Sequence, residues 1–415
     1  MVKLPVKKNI LFDKFAFISE LYKFLLISKY AFSLNKGITI GIIVYIVGLI
    51  SVINPTANMI ADCILGVSHD TITRAICTLN DNFYPVVMFI INSVQSQTAV
   101  PGWLIIDDVL LHKENSKHTD FVFKVKDHTT GKYSFGIQVV VLLWSNGIVK
   151  IPLGFKVYLT KEAAAKHNRP FKTKLQLAQQ LLESPIISAI PFEFITFDTW
   201  YSSKDLLNYL QDRGFKYITM VKCNRLFKVA GKRLHQGAQN IAASFAVTQY
   251  RYNRKLGFYL KGMDTELKGV GTVKLVIVKK GYRASIKQTR FIVTNMFHLS
   301  APATVAMYLR RWDIEVFFRA TKQLLSLEDF IFQKANAIMG HLCSVFLAYF
   351  FLEYLRVHMS QDTIGKVKVL LFSLHEVSVD GTSFKVYNFR KKQHVEPQLS
   401  DRNLIATIIL NDRVA

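Results

Sequence analysis

Cysteine is scarce in this 415-residue chain: there are four, Cys63, Cys77, Cys223 and Cys343. None forms a CxxC pair and none stands in a cluster with histidine, so the usual zinc-ligand patterns are missing. They read as small apolar core residues of a protein kept in a reducing cytosol. Acid is scarce as well, with 29 Asp and Glu against 53 Lys and Arg, a formal net charge of +24. Such a chain repels itself, and the excess calls for a polyanionic partner: nucleic acid first, an anionic membrane second. Basic groups recur along the whole chain, at residues 222–225, 279–283 and 390–392 among others, which suits an extended binding surface better than a detachable tail.

Long apolar runs are lacking too. Residues 37–53, GITIGIIVYIVGLISVI, carry no charge. They fall just short of the roughly 18–20 residues a membrane span needs, contain three glycines and end at Asn54-Pro55. A buried helix or helix pair is expected there. The run 342–352 is shorter still. The N-terminus, MVKLPVKKNILFDKF, is basic, but Asp13 and Lys14 break its apolar run, which argues against a signal peptide. There is no internal repeat and no low-complexity linker. No constellation for serine- or cysteine-based recombination is recognisable.

What is present suffices for two or three domains. Half the residues are hydrophobic, with 31 Phe and 17 Tyr. Residues 1–100 have a helical texture. Within them NPTANMIADCILGVSHDTITRAICTL reads as a helix, a break at Gly66-Val67-Ser68, and a second helix from His69 that Ser68 can cap. That resembles a helix-turn-helix, whose second helix, bearing Arg74, would enter a major groove; a plain structural helix pair reads the same way. From Pro101 the texture changes. WLIIDDVLLHK, GKYSFGIQVVVLLWSNG and IVKIPLGFKVYLT read as three strands, the last two joined by a Ser-Asn-Gly turn. KTKLQLAQQLLES is a helix, FEFITFDTWYS a strand, SKDLLNYLQDRG a helix ended by Gly214, and FKYITMVK a strand. A meander followed by alternating helix and strand is the order of an α/β, RNase H-like core. This predicts a helical DNA-binding region over 1–100, the first part of the core over 101–224, and a β-rich insertion over 225–298. The rest of the core follows over 299–357, with a C-terminal region over 358–415 that could serve dimerisation.

Two acidic positions are singled out by their surroundings. Asp107-Asp108 follows the apolar run WLII, and Asp198 follows FEFITF. A carboxylate at the tip of a buried strand is costly unless it is paired, hydrogen-bonded or bound to metal; a turn or capping aspartate is the ordinary alternative. A third element runs from Tyr308 to Lys322. At about 100° per residue, Tyr308, Arg311, Glu315 and Lys322 would fall within an arc of roughly 60° of one helix. Ala306, Ile314, Phe317, Phe318, Leu324 and Leu325 would face the opposite way. A solvated i,i+4 salt bridge accounts for Arg311 and Glu315 but not for such aromatic neighbours.

The spacing Tyr308-x2-Arg311-x3-Glu315-x6-Lys322 resembles the Tyr-Arg-Glu-Lys motif of bacterial DDE transposases of the insertion-sequence-four superfamily. IIDDVLLHK is similar to that family's first-Asp strand and TFDTWYSS to its second, so the resemblance covers about residues 101–325. It implies an RNase H-like core with a β-rich insertion, and a metal triad of Asp108, Asp198 and Glu315. It further implies DNA contacts from Tyr308, Arg311 and Lys322. The family's pattern of Asp followed by a small Thr-like residue selects Asp108 from the doublet; Val109 departs from that pattern, so Asp107 is the alternative. Three converging carboxylates need a cation, and oxygen donors suit Mg²⁺ or Mn²⁺, held as a pair about 3.5–4 Å apart. Arg311 can make a bidentate phosphate contact and Lys322 can act as a point charge. Trp200 can stack on an unpaired base or fill the core. The expected partners are double-stranded DNA, both transposon ends and target, and a second copy of the chain in the paired-end complex. No membrane partner is expected, and the location is the bacterial cytoplasm at the nucleoid. An RNase H-like nuclease or resolvase, or an inactive DNA-binding descendant, are the alternatives.

Overall fold

The computed structural model describes residues 36–371, except 53, 65–66, 80–86, 89–90, 93–99, 117, 127–130, 230 and 232–233, and a hairpin between 376 and 385. The chain groups into two compact units, one within residues 1–94, 112–122 and 319–415, the other within 95–111 and 123–318. In this grouping residues 319–357 go with the N-terminal helices and 225–298 with 123–224.

In the first unit, α1 (Lys36–Ser51), α2 (Ala57–Cys63) and α3 (His69–Ile76) come first in the chain. The uncharged stretch is thus a single helix up to Ser51, buried from Gly41 to Ile50; its last residue, Ile53, lies outside the described residues. Ser68 caps α3 as expected, its hydroxyl accepting from the Thr71 amide at 3.3 Å. Within the second unit lie the strands β1 (Gly102–His112), β2 (Phe123–Lys126), β3 (Tyr133–Ser145) and β4 (Lys150–Tyr158). The helices α4 (Lys161–Lys166), α5 (Lys174–Leu182) and α6 (Ile186–Ala189) follow. Next come β5 (Phe192–Phe197), α7 (Lys204–Asp212), β6 (Tyr217–Val221), β7 (Leu226–Lys228) and β8 (Gln236–Gly237). After α8 (Ala238–Ser244) the strands β9 (Arg251–Asn253), β10 (Phe258–Leu267), β11 (Gly271–Lys279) and β12 (Thr289–Thr294) complete the sheet. The helix α9 (Ala301–Leu309) leads into α10 (Trp312–Leu325). The first unit then resumes with α11 (Ala335–His358), α12 (Ile364–Leu371) and the hairpin β13 (Glu376–Val379) and β14 (Thr382–Lys385).

The second unit is a mixed α/β body on a 12-stranded sheet of order β2-β3-β1-β5-β6-β12-β11-β10-β7-β8, with β4 on β3 and β9 on β10. The pairs β1/β5 and β5/β6 are parallel. Parallel strands need a crossover, and the helices between β4 and β6 supply it. Those strands are buried on both faces, which is why 104–106 read as an unbroken apolar run and 194–197 as an apolar run broken only by the buried Thr196. The β-rich segment does not form a sheet of its own. Antiparallel pairing of β12 with β6 extends the central sheet outward through β11 and β10. Thr173 and Gln176 form a capping box at the start of α5, and Gly214 ends the α7 turn at φ +70.

The helices of the first unit pack closely through glycine. A Cβ at Gly340 of α11 would lie 1.9 Å from the Ile76 carbonyl oxygen, and one at Gly41 of α1 would lie 2.4 Å from the Ala75 side chain. The run 342–352 lies inside α11, a 24-residue helix. By length and composition alone α11 could cross a membrane, but 83% of its most apolar window is buried inside the protein. The expectation that all four cysteines belong to the core is corrected at one position: Cys63 and Cys343 are buried and Cys77 is half-buried, but Cys223 is exposed.

Candidate active site

The aspartate doublet does not sit at the end of its strand, as the apolar run suggested. β1 continues four residues past Asp108 to His112. Successive side chains of a strand point to opposite faces, so the two carboxylates part company. The register of β1 on β5 ends with Ile106 opposite Phe197. Asp107 is the next residue of β1 and Asp198 the first residue after β5, so the parallel pairing brings them near each other and the charge of Asp198 acts on Asp107. Asp198 is held by a turn of its own making: its Oδ1 accepts from the amides of Trp200 at 2.9 Å and Tyr201 at 3.3 Å. Thr219 of β6 donates to the carbonyls of Phe197 and Asp198 at 3.0 and 3.2 Å, tying that loop to the next strand.

Arg311 links this pair to the helical motif. Its Nη1 donates to Asp107 Oδ2 at 2.6 Å and its Nη2 to Glu315 Oε1 at 3.3 Å. The single helical face expected for Tyr308 through Lys322 is corrected. Two helices meet here: α9 stops at Leu309, α10 starts at Trp312, and Arg310-Arg311 form a turn. Across the junction the amides of Arg310, Arg311, Asp313 and Ile314 bond three residues back rather than four. Interactions pulling in different directions hold the turn: Arg311 reaches Asp107, while Asp313 accepts from Ser145 Oγ at 2.6 Å and lies 3.8 Å from Lys150. Of the residues expected to pack opposite the motif, Ile314, Phe317, Phe318 and Leu325 are buried, Leu324 is half-buried, and Ala306 on α9 is exposed.

The electrostatics are those of crowded, buried acids. Asp107 is pushed up to about 8, first by burial and then by the charge of Asp198, with Arg311 pulling the other way. Asp198 is also raised, mainly by burial, against the two amide bonds it accepts. Tyr308 is buried, which pushes its phenol up to about 12 although Arg311 bonds to it. Asp108 has a separate set of partners. Gln138 and Lys174 donate to its Oδ2, the lysine at 3.0 Å, and the Tyr201 hydroxyl donates to its Oδ1 at 2.8 Å. The expectation selected Asp108, yet Asp107 is the member of the doublet that joins Arg311 and, through it, Glu315.

The other expected residues are dispersed. Trp200 is 44% exposed, so it does not fill the core; the Lys174 ammonium lies 4.5 Å from its ring centre. Lys322, two turns along α10 from Glu315, pairs with Glu328 at 2.7 Å. Glu328 also accepts from the His112 amide at 2.5 Å. Arg74 is exposed on α3, its Nε donating to the Asp70 carbonyl at 3.3 Å. Sequence reasoning missed Gln138, Lys174 and Tyr201. Only Tyr201 carried a signal, standing three residues after Asp198. Among the described residues no group of three or more His, Cys, Asp or Glu is arranged as a ready metal cluster, for Glu315 is joined to Asp107 through a guanidinium.

Residues 101–351 match the family model described as a transposase DDE domain. The chain belongs to this transposase family. The matched span takes in both aspartates and the whole Tyr308–Lys322 motif. A stretch of 81 residues is 42% identical to the probable transposase for insertion sequence element IS5377 of Geobacillus stearothermophilus. That stretch is 20% of this chain and 22% of its relative. As a family, transposases cleave nucleic acid and transfer strands, and Asp107, Asp198, Arg311 and Glu315 all lie within the matched span.

Proposed function

We propose that this chain is a DNA transposase of the insertion-sequence-four type, cutting the ends of its element and joining them to target DNA, with Asp107, Asp198 and Glu315 as its metal-binding carboxylates. The observation that carries the reading is the placement of Asp107 on β1 near Asp198 just past the parallel strand β5, with Arg311 connecting Asp107 to Glu315. The strand order β4-β3-β1-β5-β6, with its parallel half at β1, β5 and β6, supports an RNase H-like core. Asp108 becomes the support of the site instead of a ligand.

The donor set fits Mg²⁺ or Mn²⁺. All three groups are carboxylates, hard oxygen donors that suit such ions; burial, and then the charge of Asp198, keep Asp107 raised even beside Arg311. Two such ions would activate the attacking oxygen and stabilise the leaving one. The chain's own groups have other tasks. The Asp198 turn and the Thr219 bonds fix one carboxylate. Arg311 holds the acids apart from one another's charge and, once released from Asp107, presents a planar fork to a phosphate. Lys322, about 10 Å along the helix from Glu315, suits a neighbouring phosphate instead of a shared ion. Trp200 offers an exposed ring for stacking. The N-terminal helices with Arg74 would read the ends as duplex DNA, in a homodimeric paired-end complex without a membrane partner, in the bacterial cytoplasm at the nucleoid.

Incubating the protein with duplex DNA flanking its own gene, in Mg²⁺, and mapping nicks and joints tests this. Specific nicks and joints at the element's ends are expected, lost in excess chelator. No product with Mg²⁺, or full product with chelator, overturns it.

A further inference from the structure

Residues 213–312 hold twenty Lys and Arg against two acids, Asp264 and Glu266, so this quarter of the chain carries eighteen of its twenty-four excess positive charges. The structure organises part of that charge around aromatic rings. The β9/β10 register sets Tyr252 opposite Tyr259, and the β10/β11 register sets Tyr259 opposite Lys279. Tyr282, just past β11, leans on Tyr259 from the other side. The ring centres are 4.9 Å apart for Tyr252 and Tyr259 and 5.6 Å apart for Tyr259 and Tyr282. The row is therefore closed to insertion between its members, but its ends are open: Tyr252 is 54% and Tyr282 46% exposed.

Exposed Arg251, Arg254, Lys255, Lys280 and Arg283 stand in the same two segments, and neither 245–263 nor 267–312 contains an acid. On the same sheet face Lys279 lines an open cavity of about 310 Å³ with Gln239, Asn240 and Thr289. A cross-strand tyrosine pair can serve the sheet alone, adding a few tenths to about 1 kcal/mol. That role does not call for water-exposed outer rings or for an acid-free surround.

We propose that the Tyr252–Tyr259–Tyr282 row is a track for an unpaired nucleic-acid strand. Bases stack on the open faces of Tyr252 and Tyr282, and Arg254, Lys255, Lys280 and Arg283 take the phosphates. A duplex hides its base faces and offers this surface only phosphates, for which bare lysines and arginines suffice. Exposed rings add binding only where base faces are free. The inference rests on the proposed function only for taking that strand to be DNA.

The test uses the full chain in excess chelator, so that cleavage plays no part. Labelled oligothymidine and a blunt duplex of equal length are titrated, with anisotropy as the readout. Tyr252→Ala and Tyr282→Ala should each weaken single-strand binding about five-fold or more, as loss of one stacked base requires, and leave duplex binding unchanged. Tyr252→Phe should bind as the parent. Arg254→Ala should lower the log–log salt slope for the single strand by about 0.7, one phosphate contact. Where Tyr252→Ala lowers the unfolding temperature, Tyr252→Leu, which keeps bulk against Tyr259, carries the same test. Unchanged single-strand affinity in both tyrosine variants, or equal losses for strand and duplex, overturns the track. Failure of the catalytic reading is seen separately: cleavage absent from the parent protein while the tyrosine variants behave as expected leaves the track standing.

Discussion

Arg311 Nη1 lies 2.6 Å from Asp107 Oδ2, joining a turn between two helices to the middle of the central strand, 204 residues earlier in the chain. The same guanidinium holds Glu315. One cation therefore organises acids from two distant segments, and it does so in a half-buried setting where each partner depends on the others.

The two aspartates of the doublet have different partners, Arg311 for Asp107 and Lys174 and Tyr201 for Asp108. Asp107→Asn should abolish Mg²⁺-dependent nicking while leaving DNA-end binding nearly intact. Asp108→Asn should keep measurable nicking, reduced because Lys174 and Tyr201 lose a charged acceptor. Nicking assays on the two variants side by side check this; an active Asp107→Asn with a dead Asp108→Asn would return the ligand to Asp108.

Arg311→Lys keeps the charge and removes the fork. One ammonium cannot serve Asp107 and Glu315 together, so a partly buried carboxylate is left short of a donor at a cost of about 1–3 kcal/mol. Urea unfolding at neutral pH should show that loss. An unchanged midpoint would mean the pair contributes nothing, as at an exposed surface.

Tyr201→Phe removes one oxygen. Its hydroxyl donates to Asp108, and its amide helps hold Asp198, so the loss should cost about 1 kcal/mol of stability and slow cleavage without weakening DNA binding. Measuring single-turnover cleavage beside affinity separates the two. Parallel losses in both would place Tyr201 in DNA contact instead.

His341 makes the helical unit sensitive to acid. It is wholly buried, its Nδ1 paired with the Tyr45 hydroxyl at 2.8 Å, and burial holds it down at about 3, with Lys113 adding to the effect. A depressed histidine contributes stability that is fully present above its unfolded value of about 6.5 and is lost as pH falls toward the folded one. Unfolding free energy should therefore decline below about pH 6.5 by up to roughly 1.4 kcal/mol per pH unit from this group. His341→Gln should flatten that part of the profile; an identical slope in the variant would remove His341 as its source.

The primary structure by itself determined the strands 104–106 and 194–197, because strands buried on both faces are mostly apolar, Thr196 being the one polar residue in these two runs. It also determined the cap at Ser68, because that contact spans only three residues. It determined the family, because the match of residues 101–351 to the transposase DDE domain is a property of the linear order. Only the tertiary structure decided which aspartate of the doublet meets Arg311 and the charge of Asp198. Adjacent strand residues face opposite ways, and the choice was made by the pairing of β1 with a strand 90 residues on. The break at Arg310-Arg311 was equally out of reach: local helical periodicity runs through it, and it is held by Asp107, Ser145 and Lys150, all far away in sequence. Trp200, an ordinary core residue by composition, stands exposed beside Lys174, just after the Asp198 turn. Local patterns report what short-range sterics and hydrogen bonds can settle; the facing of a side chain across a sheet is settled by partners that the linear order does not name.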